Sequence, residues 1–283
     1  MLRTAIPAVL VLTAIAISHT HAHENEVRIT RTDTQVCVQS NGLPDHETGV
    51  FPNSGNPHSI RAQRHRFCVT ADPIKRNQPM PQRGSVGIAK NGVLIRPGTA
   101  DWYDAFSPRG HSRDRSSGWN LEGLGAADLL GMDHHNAHVD RSGIYHYHGV
   151  PTGMIANSNV SHIGWAADGF ELHLATASQT SSWRLKPGSR PTAPFGPYDG
   201  TYVQDWEHVA GLGTLDKCNG GMLEGRFVYF VTETFPFYPR CLWGEASDDF
   251  SGPGRRGNRQ VRQEPTSDRG GTLPRWLRLR PRE

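Results

Sequence analysis

Glycine and proline interrupt this chain too often for it to build long helices. With 31 Gly and 20 Pro in 283 residues, its apolar segments are cut to strand length and the interruptions supply the turns between them. Polar–apolar alternation over residues 26–40 predicts one or two strands, and residues 65–70 predict another. Residues 86–95 read as a hairpin around Asn91-Gly92, a dipeptide suited to a turn with φ > 0. Residues 144–149, 163–174 and 226–234 read as strands, and residues 124–132 have helical composition. Residues 41–63, rich in Gly, Pro and Asn, read as a long loop, and residues 75–83 as a Pro-rich linker. The expected fold class is mainly β with short helices, possibly α+β, in a single compact domain.

The start of the chain predicts export. Arg3 precedes an apolar run over residues 5–17, shorter than the about 20 residues a membrane span needs. Thr20 and Ala22 have the spacing a signal peptidase reads, so residues 1–22 are expected to be a signal peptide and the mature protein to be secreted or periplasmic. No other segment is apolar enough to span a membrane. In an oxidising compartment the four cysteines, Cys37, Cys68, Cys218 and Cys241, pair by default as two disulfides. Sequence alone allows three connectivities; Cys37–Cys68 with Cys218–Cys241 closes the shorter loops and is the expected one. The absence of a Cys-x-x-Cys spacing disfavours a zinc ribbon or thioredoxin-like site.

The net charge of +3 misstates the body of the chain. Residues 252–283 hold nine Arg against three acids, a local +6, so the remainder sums to −3 (+3 minus +6). Only the tail is basic, which argues against nucleic acid as a partner. Residues 245–283 are expected to be a disordered basic tail. Residues 23–83 are expected to form strands and loops packed on a main domain spanning residues 84–244.

One internal repeat is visible. Val86-Gly-Ile-Ala-Lys-Asn-Gly-Val-Leu-Ile95 aligns with Ile163-Gly-Trp-Ala-Ala-Asp-Gly-Phe-Glu-Leu172. The Gly, Ala, Gly frame is identical and Asn91 falls on Asp168, giving strand, turn and strand in both.

The chemistry concentrates between Asp133 and His148, which hold His134, His135, His138, His146 and His148. Alternation over residues 145–148 puts His146 and His148 on one strand face and Tyr145 and Tyr147 on the other. Arg141-Ser142-Gly143 fits a three-residue hairpin loop with Gly143 left-handed. That register sets Asp140 opposite Ile144, His138 opposite His146, and Asn136 opposite His148. A two-residue loop would instead set Tyr145 opposite His138. In the first register His138, His146 and His148 converge as candidate ligands for a divalent transition metal, zinc or copper. The alternative is a polar sheet face whose histidines simply hydrogen-bond. Asn136 and His134 lie near enough to assist. His23, which cleavage after Ala22 would expose, is a second and weaker copper candidate.

Tyr145-His-Tyr-His-Gly149 resembles the signature of the YHYH domain family. Asn136-Ala-His-Val139, residues 162–170, Gly196-Pro-Tyr-Asp-Gly-Thr201, Leu215-Asp-Lys-Cys-Asn-Gly220 and residues 232–241 resemble further blocks, from about Gly84 to Gly244. The resemblance implies a secreted, compact domain and no particular reaction.

Two functions remain open. The first is an extracellular metalloprotein, with Asp168, Asp199, Asp205, Glu207 and His208 as candidate bases or supports for the ligands. The second is a non-enzymatic binder of carbohydrate or cell-surface ligands through Trp102, Tyr103, Trp119, Trp165 or Trp183. A small-molecule or extracellular ligand is expected without being identified. No Gly-x-Ser-x-Gly elbow, phosphate loop or dinucleotide fingerprint is present.

Overall fold

The computed structural model describes residues 24–156 and 161–251. The expected signal peptide over residues 1–22, the His23 candidate and the residues from 252 onward lie outside the described residues. The described chain is mainly strand, with only two α-helices, both short.

The strands β1 (Val27–Arg31), β2 (Gln35–Ser40) and β3 (His65–Thr70) form an antiparallel sheet of their own. Cys37 and Cys68 face each other across β2 and β3 and are disulfide-bonded. Next come β4 (Met80–Pro81) and the hairpin of β5 (Gly87–Ala89) and β6 (Leu94–Ile95). Then β7 (Gly98–Tyr103), β8 (His111–Ser112) and β9 (Asn120–Glu122) make a second small sheet, followed by helix α1 (Ala127–Leu130). The hairpin of β10 (Ala137–Val139) and β11 (Tyr145–Tyr147) leads to helix α2 (Thr152–Ala156). A further hairpin, β12 (His162–Ala166) and β13 (Glu171–Leu174), precedes the pair β14 (Trp183–Leu185) and β15 (Trp206–His208). The last are β16 (Gly220–Leu223), β17 (Arg226–Val231) and β18 (Cys241–Leu242). Cys218 and Cys241 form the second disulfide, so both expected pairings are present.

The main sheet has eight strands in the order β10-β11-β6-β5-β12-β13-β17-β16, and this order reads as two equivalent halves. At the centre the two repeat hairpins pair antiparallel, with Ile88 opposite Trp165, Gly87 opposite Ala166 and Ala89 opposite Gly164. On each side the hairpin's outer strand takes a parallel partner, Ile95 beside Tyr147 and Leu172 beside Tyr229. Each of those partners takes an antiparallel edge strand, Ala137 against Tyr147 and Gly220 against Tyr229. The glycine frame follows from this close central pairing. A Cβ on Gly87 would lie 2.5 Å from the Trp165 carbonyl, and one on Gly164 would lie 2.2 Å from the Ile88 carbonyl. The turn glycines, Gly92 and Gly169, have φ of 82° and 93°, where a side chain is strained.

Two segments depart from the expectation. The Pro-rich linker contains β4, which pairs with β18. A proline is tolerated there because an edge strand need not donate from every residue. Residues 245–251 were expected to begin the tail but instead pack on the body. Phe250 is buried against Phe67, with ring centroids 4.7 Å apart. The Asp249 carboxylate accepts from the Cys68 amide at 2.9 Å, and the Ser247 amide donates to the Ala167 carbonyl. One buried aromatic anchors a segment whose composition otherwise reads as unstructured.

The N-terminal sheet shares the main core: Val36, Val38 and Val69 cluster with Ile88, Leu94, Ile163 and Leu172. Residues 41–63 form the expected loop without strand or helix. That loop lies over β10 and β11, where buried Asn56 donates to the Val139 carbonyl.

Candidate metal centre

The hairpin of β10 and β11 has the three-residue loop. Gly143 has φ 81°, the Asp140 amide donates to the Ile144 carbonyl, and His138 sits directly opposite His146. Beyond the strand end, the His148 amide donates to the Asn136 carbonyl at 2.8 Å. The three imidazoles close into a triangle with ring centroids 4.7, 4.7 and 4.9 Å apart. One ring nitrogen from each lies within 4.8 Å of the other two.

The tautomers follow from the hydrogen bonds. His138 Nδ1 lies 3.0 Å from the Leu130 carbonyl and His146 Nδ1 lies 3.0 Å from the Ile144 carbonyl. A carbonyl only accepts, so both Nδ1 atoms carry the proton and both Nε2 atoms present lone pairs. His148 is buried, and among the described residues neither of its ring nitrogens makes a well-formed hydrogen bond, the Pro97 backbone acting on it only weakly. Leaving such atoms unpaired costs roughly 1–3 kcal/mol. Gly123 lets the backbone close over this ring, since a Cβ there would lie 2.4 Å from His148 Nδ1.

All three rings are held neutral. Burial pushes the His146 and His148 imidazoles well below the ordinary histidine value. Nearby His138, together with Arg96 beside His146 and Arg240 beside His148, adds to the shift. Burial also lowers His138. Both arginines are themselves paired, Arg96 with Asp140 and Arg240 with Glu122, each at 2.6 Å.

The other sequence candidates lie elsewhere. Asn136 donates to the Val150 carbonyl, and the His134 ring lies tilted against His135 with centroids 3.9 Å apart. Buried Asp168 accepts from the Tyr229 hydroxyl and the Gly244 amide. Asp199 and Asp205 both pair with Arg190, Glu207 pairs with Arg184, and the His208 ring packs on Trp183. Of the five residues weighed as a platform for sugars, Trp119 and Trp165 are buried and Trp102, Tyr103 and Trp183 half-buried.

Tyr145 and Tyr147 occupy the opposite face of β11. The Tyr145 hydroxyl donates to Asp133 Oδ2 at 2.7 Å, and the Tyr147 hydroxyl lies 2.7 Å from His46 Nε2 and 2.9 Å from Asn91 Nδ2. Replacing Tyr147 by Phe leaves both partners short of a bond. The expected result is a loss of about 1–2 kcal/mol in urea unfolding, with bound metal unchanged.

The repeat extends to this site. Asp133-His-His-Asn-Ala-His138 corresponds to Asp216-Lys-Cys-Asn-Gly-Gly221. Asn136 and Asn219 both have φ 59°. Asp133 Oδ1 caps the His135 and Ala137 amides, and Asp216 Oδ1 caps the Cys218 and Gly220 amides. The Phe230 amide donates to Asn219, as the His148 amide does to Asn136, both at 2.8 Å. By this register His138, His146 and His148 stand where the other half has Gly221, Val228 and Phe230. Val228 and Phe230 are buried there in an apolar cluster with Leu215.

A second group escaped the sequence reading: His162, Glu171 and His173 also bring one donor atom each within 4.8 Å of the others. A plain hairpin register would set Ile163 opposite His173. An irregularity between residues 162 and 164 shifts His162 into that place.

Fold and site together define a two-fold-repeated β-sheet protein with a buried three-histidine group in one half. The chain matches the YHYH protein family over residues 66–244 and belongs to it. The match begins ahead of Gly84 and so takes in β3 with Cys68. No curated protein and no solved structure matches the chain.

Proposed function

We propose that this chain is an extracellular metalloprotein whose His138, His146 and His148 hold one divalent transition metal, zinc or copper. The observation that carries the reading is His148, a buried imidazole with no well-formed hydrogen bond at either nitrogen and only the Pro97 backbone acting weakly on it, placed where the equivalent half has Phe230. Neutral imidazole is the ligating form, and two of the rings already aim Nε2 lone pairs from carbonyl-held tautomers. Three histidines leave a fourth position open, and a metal so held supplies Lewis acidity or an activated water. Burial of His146 and His148 keeps bulk water from the group. The two disulfides and the exported leader read from residues 1–22 support a secreted or periplasmic location.

The test is elemental analysis of protein exported to an oxidising compartment and dialysed without chelator. At least one equivalent of metal is expected in the parent and one equivalent fewer in His146→Ala, with the circular dichroism spectrum retained. Equal metal content in both proteins rejects the reading.

A further inference from the structure

We propose that His162, Glu171 and His173 form a second binding site for a divalent cation of the zinc class, separate from the three-histidine group. The three residues lie on β12 and β13, in the half of the sheet whose outer strands carry no histidine triad. His162 and His173 face each other across the two strands. Their rings stack 5.0 Å apart at an interplanar angle of 17°. Glu171 lies two residues before His173, on the same face of β13.

The hydrogen bonds show which atoms are free. His162 Nε2 lies 3.0 Å from the Gly164 carbonyl, so it carries the proton and Nδ1 presents a lone pair. His173 Nε2 lies 2.9 Å from Glu171 Oε2, and its Nδ1 lies 3.5 Å from Ser161 Oγ. Two ligands bound to one zinc stand roughly 3.0–3.5 Å apart, so the His173–Glu171 pair already has near-ligand spacing. Binding through Nε2 requires a tautomer change and replaces the His173–Glu171 hydrogen bond with two bonds to the ion. The ring proton passes to Nδ1, where Ser161 Oγ turns to accept it, and no net proton is released. Two histidines and one carboxylate with open positions suit a borderline divalent ion.

The equivalent positions in the other half are Ser85, Leu94 and Arg96. There the Arg96 Nε donates to Ser85 Oγ at 3.0 Å, and no lone pairs converge. The fold therefore closes without a ligand set at these positions. Glu171, but neither histidine, also lines a 420 Å³ cavity with Trp165 and Arg226, so the carboxylate end of the group borders open space. Arg226 lies 3.7 Å from Glu171 Oε2, the same oxygen that His173 Nε2 contacts.

The test is calorimetric titration of the chelator-stripped full mature chain with zinc chloride at neutral pH. Two equivalents are expected. Glu171→Gln and His173→Ala should each remove one of them, weakening that site by about tenfold or more, and His146→Ala should remove the other. Glu171→Gln keeps the shape and a hydrogen-bonding group toward His173, which guards against loss of fold. Arg226→Gln should tighten the second site by about two- to fivefold, because a positive charge beside the ligand is removed. A purely structural role for Glu171 and His173 does not predict that gain. Unchanged stoichiometry in both Glu171→Gln and His173→Ala overturns the proposal, and it does so even if His146→Ala loses its own equivalent. Loss in these variants supports the second site whatever His146→Ala does.

Discussion

Replacing His146 with Val and His148 with Phe together should raise the stability of the metal-free protein while removing metal at the three-histidine group. The substitutions copy Val228 and Phe230, which occupy the equivalent positions in the other half of the sheet. His148 carries two buried nitrogens without a well-formed hydrogen bond, a burden of roughly 1–3 kcal/mol that Phe does not have. His146 gives up its bond to the Ile144 carbonyl, but that carbonyl keeps the Asp140 amide as a donor. Each kcal/mol gained should appear as a rise of about 2–4 °C in Tm for a domain of this size. Acid sensitivity should weaken as well. The folded values of both imidazoles lie below the unfolded one. No proton-linked cost therefore applies above the unfolded value of about 6.5, and stability falls as pH drops from there towards the folded values. The variant should lose this part of the acid transition. It should keep the part due to His65, whose value is lowered to about 4 chiefly by burial. If the variant is less stable than the metal-free parent, the histidines serve as a structural polar face and the metal reading fails.

Local signals made the three-histidine group legible. The Arg141-Ser142-Gly143 loop set the register, and strand alternation carried His146 and His148 to one face with the tyrosines on the other. Disulfide pairing was legible from loop length alone. The larger repeat was not. Asp133-x-x-Asn136 and Asp216-x-x-Asn219 share only two residues at fixed spacing, and their likeness lies in left-handed asparagines and amide capping. The second group stayed hidden because one irregularity in β12 moves His162 into place, and such shifts leave no compositional trace. The packing of residues 245–251 was hidden for a related reason. A single aromatic, Phe250, fixes a segment that has no apolar periodicity. The candidate supports Asp199 and Asp205 proved to serve a different element, because their partner Arg190 is set by tertiary packing.

That element makes Asp205→Asn the substitution with the largest expected loss of stability. Asp205 is fully buried, and its two oxygens receive Arg190 Nε at 2.8 Å, Arg190 NH2 at 2.6 Å, the Gly200 amide at 3.0 Å and the Tyr202 amide at 3.3 Å. The guanidinium lies over the Tyr202 ring, 4.8 Å from its centroid, and Tyr202 packs in a cluster with Trp119, Leu121 and Leu130. Removing the carboxylate charge leaves the buried Arg190 with only Asp199, which is half exposed, as counter-ion. Breaking a buried pair in this way costs about 3–5 kcal/mol. Asp199→Asn removes the solvent-screened partner and should cost less than about 1 kcal/mol. The loss should reach the histidine group, because Leu130 belongs to the same cluster and its carbonyl holds His138 Nδ1. At a temperature where Asp205→Asn is still folded, its metal affinity should therefore fall below that of the parent, while Asp199→Asn matches the parent. Urea unfolding and metal titration of the two variants side by side make the comparison. Equal stability losses for both would show that the Arg190 charge is neutralised by solvent instead of by Asp205. Unchanged metal affinity in folded Asp205→Asn would show that helix α1 holds His138 without help from this ion pair.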